Sequence, residues 1–305
     1  MARKRKGNPI HGWVNFDKPL GMTSTQAVGK VRWLYSAQKA GHAGTLDPLA
    51  TGILPIALGD ATKTVPFMVD AVKAYEFTLT WGENTDTLDA EGDITEKSDV
   101  RPERAAIESA LPNFVGVITQ TPPRYSAIKI DGKRAYDLAR SGEFVEMKSR
   151  QVRVDSVEII NCTAESVTLA VGCGKGTYIR SIARDLANTL GACGHVTMLR
   201  RTRVGPFTPD TAFTLDALEN LCDTDGVSRA LRPVETVLDD IPVLALTEND
   251  AEHMKHGRAI AAPPNFITTP DADDLHWALA MYGEKAVALC HVSGGMVSPK
   301  RVFNL

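Results

Sequence analysis

Tyr75, Phe77, Leu79 and Trp81 alternate with Glu76, Thr78 and Thr80, and this period of two constrains the fold more than any other feature of the chain. Only an extended strand sends every second side chain to the same face, so the segment belongs in a sheet with one face buried. Val167, Leu169 and Val171 repeat the pattern, and residues 13–16 and 53–58 read as further short strands. Helical signals stand between them. Thr23-x-x-Gln26 is a capping box, and Ala27, Val28, Val31, Leu34 and Tyr35 follow with the 3.6-residue period of one buried face. Residues 102–111 predict a second helix. A third follows the glycines of 172–176, with Ile179, Ile182, Ala183, Leu186 and Leu190 on one face and Gly191 as its stop. These strands and helices do not keep a regular βαβ rhythm, which predicts an α+β fold rather than a doubly wound sheet.

At 305 residues the chain has room for two domains, since domains run to roughly 100–200 residues. The stretch Asp239-Asp240-Ile241-Pro242 reads as the boundary, giving units 1–240 and 241–305. Beyond it, short apolar runs at 277–281 and 286–290 lie between Pro and Gly turns, the pattern of a small β-rich domain. No apolar run approaches the roughly 18 residues of a membrane span. The basic tip Arg3-Lys4-Arg5-Lys6 leads into Gly7-Asn8-Pro9 rather than an apolar signal core, so the expected location is the cytoplasm. The five cysteines, Cys162, Cys173, Cys193, Cys222 and Cys290, include no Cys-x-x-Cys pair; free thiols are expected rather than disulfides or zinc.

Net charge is −3, which does not announce a nucleic-acid partner, but its distribution is uneven. Residues 1–63 hold nine basic and three acidic side chains, whereas residues 206–250 hold two basic and ten acidic ones. A one-sided field of this kind suits a polyanion on one face, although most such asymmetries are merely solvated surface. Residues 121–150 read as an excursion from the core. They carry Arg124, Lys129, Lys133, Arg134, Arg140, Lys148 and Arg150, with Tyr125 and Tyr136 interleaved. Basic groups beside aromatics suit RNA backbone and base stacking; a solvated loop with Tyr125 packed inward is the plainer alternative.

Several kinds of chemistry are set aside by their missing residues. Cys173-Gly174-Lys175-Gly176-Thr177 lies between strand and helix but lacks the earlier glycine of a phosphate loop. No G-x-S-x-G elbow and no H-E-x-x-H motif occurs. His253 and His256 could share a helix face, but two histidines do not make a zinc site, and Cys193-Gly194-His195 reads as a turn. One segment stands apart: Gly41-His42-Ala43-Gly44-Thr45-Leu46-Asp47-Pro48-Leu49-Ala50-Thr51-Gly52. Its glycines permit positive φ and close backbone approach. Pro48 fixes its own φ and biases Asp47 toward extended geometry. A single carboxylate can be held rigidly in this way, although a loop aspartate is more often a turn former or helix cap.

That segment resembles the signature of the TruB family of tRNA pseudouridine(55) synthases, and the flanking chain agrees in order. Asp17-Lys18-Pro19-x-Gly21-Met22-Thr23-Ser24 precedes it, and Lys73-Ala74-Tyr75 follows. Then come Thr85-Asp86-Thr87-x-Asp89-Ala90-x-Gly92, Tyr125-Ser126-Ala127-x-Lys129, Gly174-Lys175-Gly176-Thr177-Tyr178-Ile179-Arg180 and His195-Val196-x-x-Leu199-Arg200-Arg201. The resemblance spans residues 17 to about 203; beyond 240 no motif matches, and a PUA-like RNA-binding domain is expected there from position and composition.

The resemblance implies a central mixed, largely antiparallel sheet flanked by helices. It implies isomerisation of a uridine in the T loop of tRNA, at position 55, after the base has left its stack. Asp47 is then the nucleophile, splitting one hard step into easier ones. Attack at C1′, glycal formation through C2′ and addition to the base all remain open. Arg180 matches the arginine that pairs with that carboxylate, which a dry pocket requires. Tyr75 matches the aromatic that stacks on the flipped uracil and serves the C5 proton step; by alternation alone it would be core. Tyr178 and Leu199 match pocket-lining positions, and His42 matches a wedge entering the T loop. Lys18 and Lys63 are phosphate or loop supports, or ordinary surface lysines. No cofactor and no metal are implied, and the expected partner is the T arm of tRNA, bound by a monomer with no obligate protein partner. Two alternatives remain: the catalytic subunit of a guide-RNA particle, and a non-enzymatic tRNA-binding chaperone.

Overall fold

The computed structural model describes residues 7–126, 128–130, 132–141, 146–223, 226–263, 266 and 276–305. Strand β1 (Gly12–Lys18) leads into helix α1 (Ser24–Leu34), which opens on the Thr23/Gln26 capping box. Strands β2 (Ala40–His42) and β3 (Ala50–Leu58) enclose the Asp47 loop, and a short helix α2 (Val65–Asp70) returns the chain to β4 (Lys73–Trp81). The glycine-rich stretch 41–52, expected as loop throughout, therefore has strand at both ends. Gly41 and His42 pair with Ala57 and Ile56, and Ala50–Gly52 pair with Leu199–Arg201.

A hairpin of β5 (Glu83–Thr85) and β6 (Ile94–Lys97) precedes α3 (Arg104–Ala110) and β7 (Gly116–Gln120). The excursion then folds as a separate ribbon, β8 (Lys129–Ile130) with β9 (Lys133–Arg134), followed by α4 (Ala135–Arg140). Ala127 and the basic tip, Arg3 to Lys6, lie outside the described residues, as do the side chains of Lys129, Arg134 and Arg140. Long strands β10 (Arg150–Cys162) and β11 (Ser166–Cys173) lead to α5 (Ile179–Thr189), whose end is turned by Gly191 at φ +66°. After β12 (Gly194–Val204) come α6 (Leu215–Asp223) and β13 (Leu231–Arg232).

Nine of these strands form one sheet in the order β13-β1-β3-β12-β4-β11-β10-β7, with β2 on β3. Its pairings are antiparallel except β3 with β12, so the sheet is mixed and largely antiparallel, within an α+β fold. One face packs Phe77, Leu79, Leu54 and Ile56 against Ala27 and Val31 of α1 and Ile182, Ala183 and Leu186 of α5. The other packs Trp13, Ile53 and Ala57 against Leu279, Leu289 and Phe303. Both faces of β3 are covered, which is why its sequence is a continuous apolar run rather than an alternating one.

The last segment supplies that second layer. Strands β14 (Val243–Ala245), β15 (Ile260–Ala261), β16 (His276–Tyr282), β17 (Lys285–Ser293) and β18 (Met296–Val302) form a five-stranded sheet, and α7 (Glu248–Lys255) packs on it. Its end is tied to the main sheet. Asn304 N–H donates to Asp60 Oδ2 at 2.7 Å, and Lys63 donates to the Val302 carbonyl at 2.6 Å.

Candidate active site

Asp47 stands where β3 changes neighbours. Residues 50–52 of β3 pair with β12 and residues 56–58 pair with β2, so the β2–β3 loop emerges through the split. The loop is fastened along its length. Ala43 N–H donates to the Pro55 carbonyl at 3.1 Å. The buried Ser24 hydroxyl accepts from Leu46 N–H at 2.8 Å and donates to the Leu46 carbonyl at 2.9 Å. The Pro48 carbonyl accepts from Gly21 N–H at 2.9 Å and from Lys18 at 3.3 Å. Gly52, at φ +99°, has no room for a Cβ because the Arg201 backbone lies against it. A carboxylate on a loop held this firmly keeps its position without help from substrate.

Arg180, the second residue of α5, meets it. Its Nη2 lies 2.8 Å from Asp47 Oδ2, and the Arg180 side chain is 5% exposed against 38% for Asp47. The guanidinium is thus interior, while one carboxylate oxygen edge faces the solvent side. Arg180 also donates to the Thr87 carbonyl at 2.6 Å and the Tyr125 carbonyl at 2.9 Å. A second carboxylate, Asp89, lies 3.3 Å from Nη1. It is itself oriented by Thr87 Oγ1 at 2.7 Å and Glu91 N–H at 3.1 Å. Sequence reasoning quoted Asp89 within a motif and gave it no part. The available signal was donor counting: a buried guanidinium has five N–H groups, more than one half-exposed carboxylate can fill.

Asp47, Asp89 and Arg180 line one cleft together with Leu49, Ala50, Val196, Thr197, Met198 and Leu199. Leu199 sits on β12 between Ala50 and Phe77. Tyr75 lies on β4 opposite Arg201 and is nearly fully buried. Burial pushes its phenol pKa up; the Arg201 charge and a hydrogen bond from Arg201 pull against that, and the Asp47 charge adds to it. Tyr178 precedes α5, and its backbone is held by the Gln120 side chain at 2.8 and 3.1 Å. The Arg150 guanidinium lies 5.2 Å from the Tyr178 ring centroid. His42 lies on β2, half-buried and paired across to Ile56.

The two lysines have other surroundings. Lys18 is fully buried, donating to the carbonyls of Pro19 at 3.0 Å, Met22 at 2.7 Å and Pro48 at 3.3 Å. It therefore supports the Asp47 loop from within and offers nothing to a phosphate. Burial lowers its pKa to about 8, with Arg201 adding to the fall and Asp47 opposing it. Lys63 is joined to Asp60 at 2.9 Å and to β18, outside the cleft lining. Lys73 was given no role from sequence. It is buried against the carbonyls of Val69 and Ala71, and burial together with Arg201 lowers its pKa to about 8. Among the described residues no group of three or more His, Cys, Asp or Glu is placed to hold a metal ion.

The site is an accessible carboxylate, aimed by a buried arginine, in a cleft walled largely by aliphatic side chains. Residues 32–179 match the TruB family pseudouridylate synthase N-terminal domain, and residues 180–239 match the tRNA pseudouridylate synthase B C-terminal domain. The chain is 54% identical to a tRNA pseudouridine synthase B of Caulobacter sp. (strain K31), over 100% of both chains. The chain belongs to the TruB family. A tRNA pseudouridine synthase B of Bradyrhizobium diazoefficiens is 49% identical over 100% of this chain and 91% of its own. Among solved structures, one titled as a Cbf5-Nop10-Gar1 complex matches with a TM-score of 0.72 and 27% identity, covering 95% of this chain and 84% of that one. As a TruB-family member the protein is an isomerase that makes pseudouridine.

Proposed function

We propose that this enzyme isomerises the uridine at position 55 in the T loop of tRNA, with Asp47 as nucleophile. The observation that carries the proposal is the 2.8 Å Asp47–Arg180 pair, which leaves the carboxylate partly exposed on a fastened loop while its partner is buried. Planar, charge-assisted hydrogen bonding keeps Asp47 aimed. The target base leaves its stack and enters the cleft. Leu199 and Tyr178 wall the pocket, Tyr75 stacks on the uracil and serves the proton step at C5, and His42 fills the gap the extruded base leaves. Asp89 holds the second side of the guanidinium, so Arg180 is fixed before substrate arrives.

The ribbon and α4 within residues 121–150 grip the RNA backbone. The five-stranded sheet of residues 241–305 forms a second, PUA-like RNA-binding domain beside a catalytic domain of residues 1–240. The protein works in the cytoplasm as a monomer, needing no cofactor and no protein partner. Identity of about half, over the full chain, to proteins named tRNA pseudouridine synthase B favours this reading, whereas likeness to the structure of the Cbf5-Nop10-Gar1 complex falls to 27%. The test is to incubate purified protein, without metal beyond what folds the RNA, with an unmodified tRNA transcript and to map pseudouridine by chemical sequencing. Conversion at the T-loop uridine is expected; failure on tRNA alone, or modification elsewhere only, contradicts the proposal.

A further inference from the structure

Arg201 is among the largest fully buried side chains of the described residues, at 1% exposure, and no carboxylate lies within ion-pair distance of it among them. A buried cation without a counter-ion is costly, and a role in packing alone is served as well by an apolar side chain. Its donors go instead to neutral oxygens that bracket the active site. Nε donates to the Ile53 carbonyl at 2.7 Å and Nη2 to the Gly44 carbonyl at 3.1 Å. Gly44 lies three residues before Asp47 and Ile53 six after it, so one guanidinium ties the start of the loop to the strand that follows it. Ile53 is the residue just beyond the β3–β12 pairing, and the side chain takes up a carbonyl that strand pairing has left. On the other side Arg201 stands directly opposite Tyr75 across the β12–β4 ladder, and its charge acts on the buried phenol. Leu199, two residues earlier on the same face of β12, lines the cleft, which places Arg201 next to that lining along the strand.

We infer that Arg201 is a positioning residue for the reaction, one rigid fork that holds the Tyr75 hydroxyl and the Asp47 loop in a fixed relation so that both address the same uracil. The inference rests on the proposed roles of Asp47 and Tyr75. Lysine cannot replace it. An ammonium is a single point of donors, whereas a planar guanidinium reaches carbonyls on one side and a phenol on the other. Misplacement of a reacting group by about 1 Å costs on the order of 100-fold in rate, and that is the loss expected for Arg201→Lys.

The experiment is a cycle of Arg201→Lys, Tyr75→Phe and the double variant, read by single-turnover pseudouridine formation at saturating enzyme, by tRNA affinity, and by thermal unfolding. Arg201→Lys should lose rate while keeping tRNA affinity, a split that general loosening of the fold does not produce. In the Tyr75→Phe background the same change should cost a clearly smaller further factor, because only the hold on the Asp47 loop remains to be lost. A parental rate in Arg201→Lys overturns the inference and leaves Asp47 and Tyr75 untouched. Equal losses in both backgrounds overturn it too. A parental rate in Tyr75→Phe removes both the proposed role of Tyr75 and this inference. The cycle is backed by a measurement on the native arginine, in case Arg201→Lys does not fold. Among the described residues Arg180 and Arg201 are the buried arginines, and with isotope-labelled arginine one of their two guanidinium NMR signals should shift in Tyr75→Phe. If neither moves, there is no contact and the inference fails.

Discussion

At the scale of single residues, the site is a problem of buried charge. Arg180 answers two carboxylates, one half-exposed and one almost enclosed. Removing one partner of a buried pair costs about 3–5 kcal/mol, because the survivor is stranded. Arg180→Met should therefore destabilise the protein by that order, and double-mutant cycles on urea unfolding should divide the loss unequally. Coupling to Asp89 should exceed coupling to Asp47, since water can reach the Asp47 carboxylate once the arginine is gone. The reverse order would mean that Asp47 is the more deeply held charge. Lys18 and Lys73 give a second check. Each holds its proton only to about pH 8 when folded, against 10.5 for an ordinary lysine. Between those values the unfolded chain binds more protons, so stability should rise with pH across the window. Below it both states are protonated and the contribution is constant. Lys18→Met should flatten this rise in urea midpoints, and an unchanged slope would place the titration elsewhere.

At the scale of elements, what could be read from sequence was local and what could not was not. The capping box of α1, the alternation of β4 and β11, and the apolar face and glycine stop of α5 depend on neighbours within a few residues, and each forms as expected. The Asp47 and Arg180 positions were legible through motif order. Asp89, Lys73 and Arg201 were missed because nothing local marks a charged residue as buried; Arg200-Arg201-x-Arg203 reads as one basic run until pairing sends Arg201 inward. The glycine-rich stretch 41–52 reads as loop because glycine weakens strand signals, yet Gly52 is strand at φ +99° with a neighbouring backbone against it. Gly52→Ala should thus cost about 1–3 kcal/mol or more through strain. Gly41→Ala meets only a Thr62 methyl at 3.9 Å and should stay within about 0.5 kcal/mol of the parent. Equal effects in thermal or urea unfolding would contradict the close approach at Gly52.

At the scale of the whole molecule, the small sheet of residues 243–302 covers the face of the main sheet opposite α1 and α5, and the C-terminal tail is tied to Asp60 and Lys63. The ribbon that carries Lys133 follows Tyr125, whose carbonyl accepts from Arg180 at 2.9 Å. If that ribbon contacts phosphates, neutralising Lys133 and Arg134 together should weaken tRNA binding and reduce the salt slope of log affinity by somewhat under one per contact, about 0.7–0.9. A slope identical to the parent's would remove the ribbon from the backbone. The most direct test of the central proposal is Asp47→Asn, nearly isosteric but without the charge or nucleophilicity of a carboxylate. The variant should fold, bind the unmodified tRNA as the parent does, and form no pseudouridine in a single-turnover assay at saturating enzyme. Pseudouridine appearing at the T-loop uridine at the parental rate would contradict the assignment of Asp47 as nucleophile.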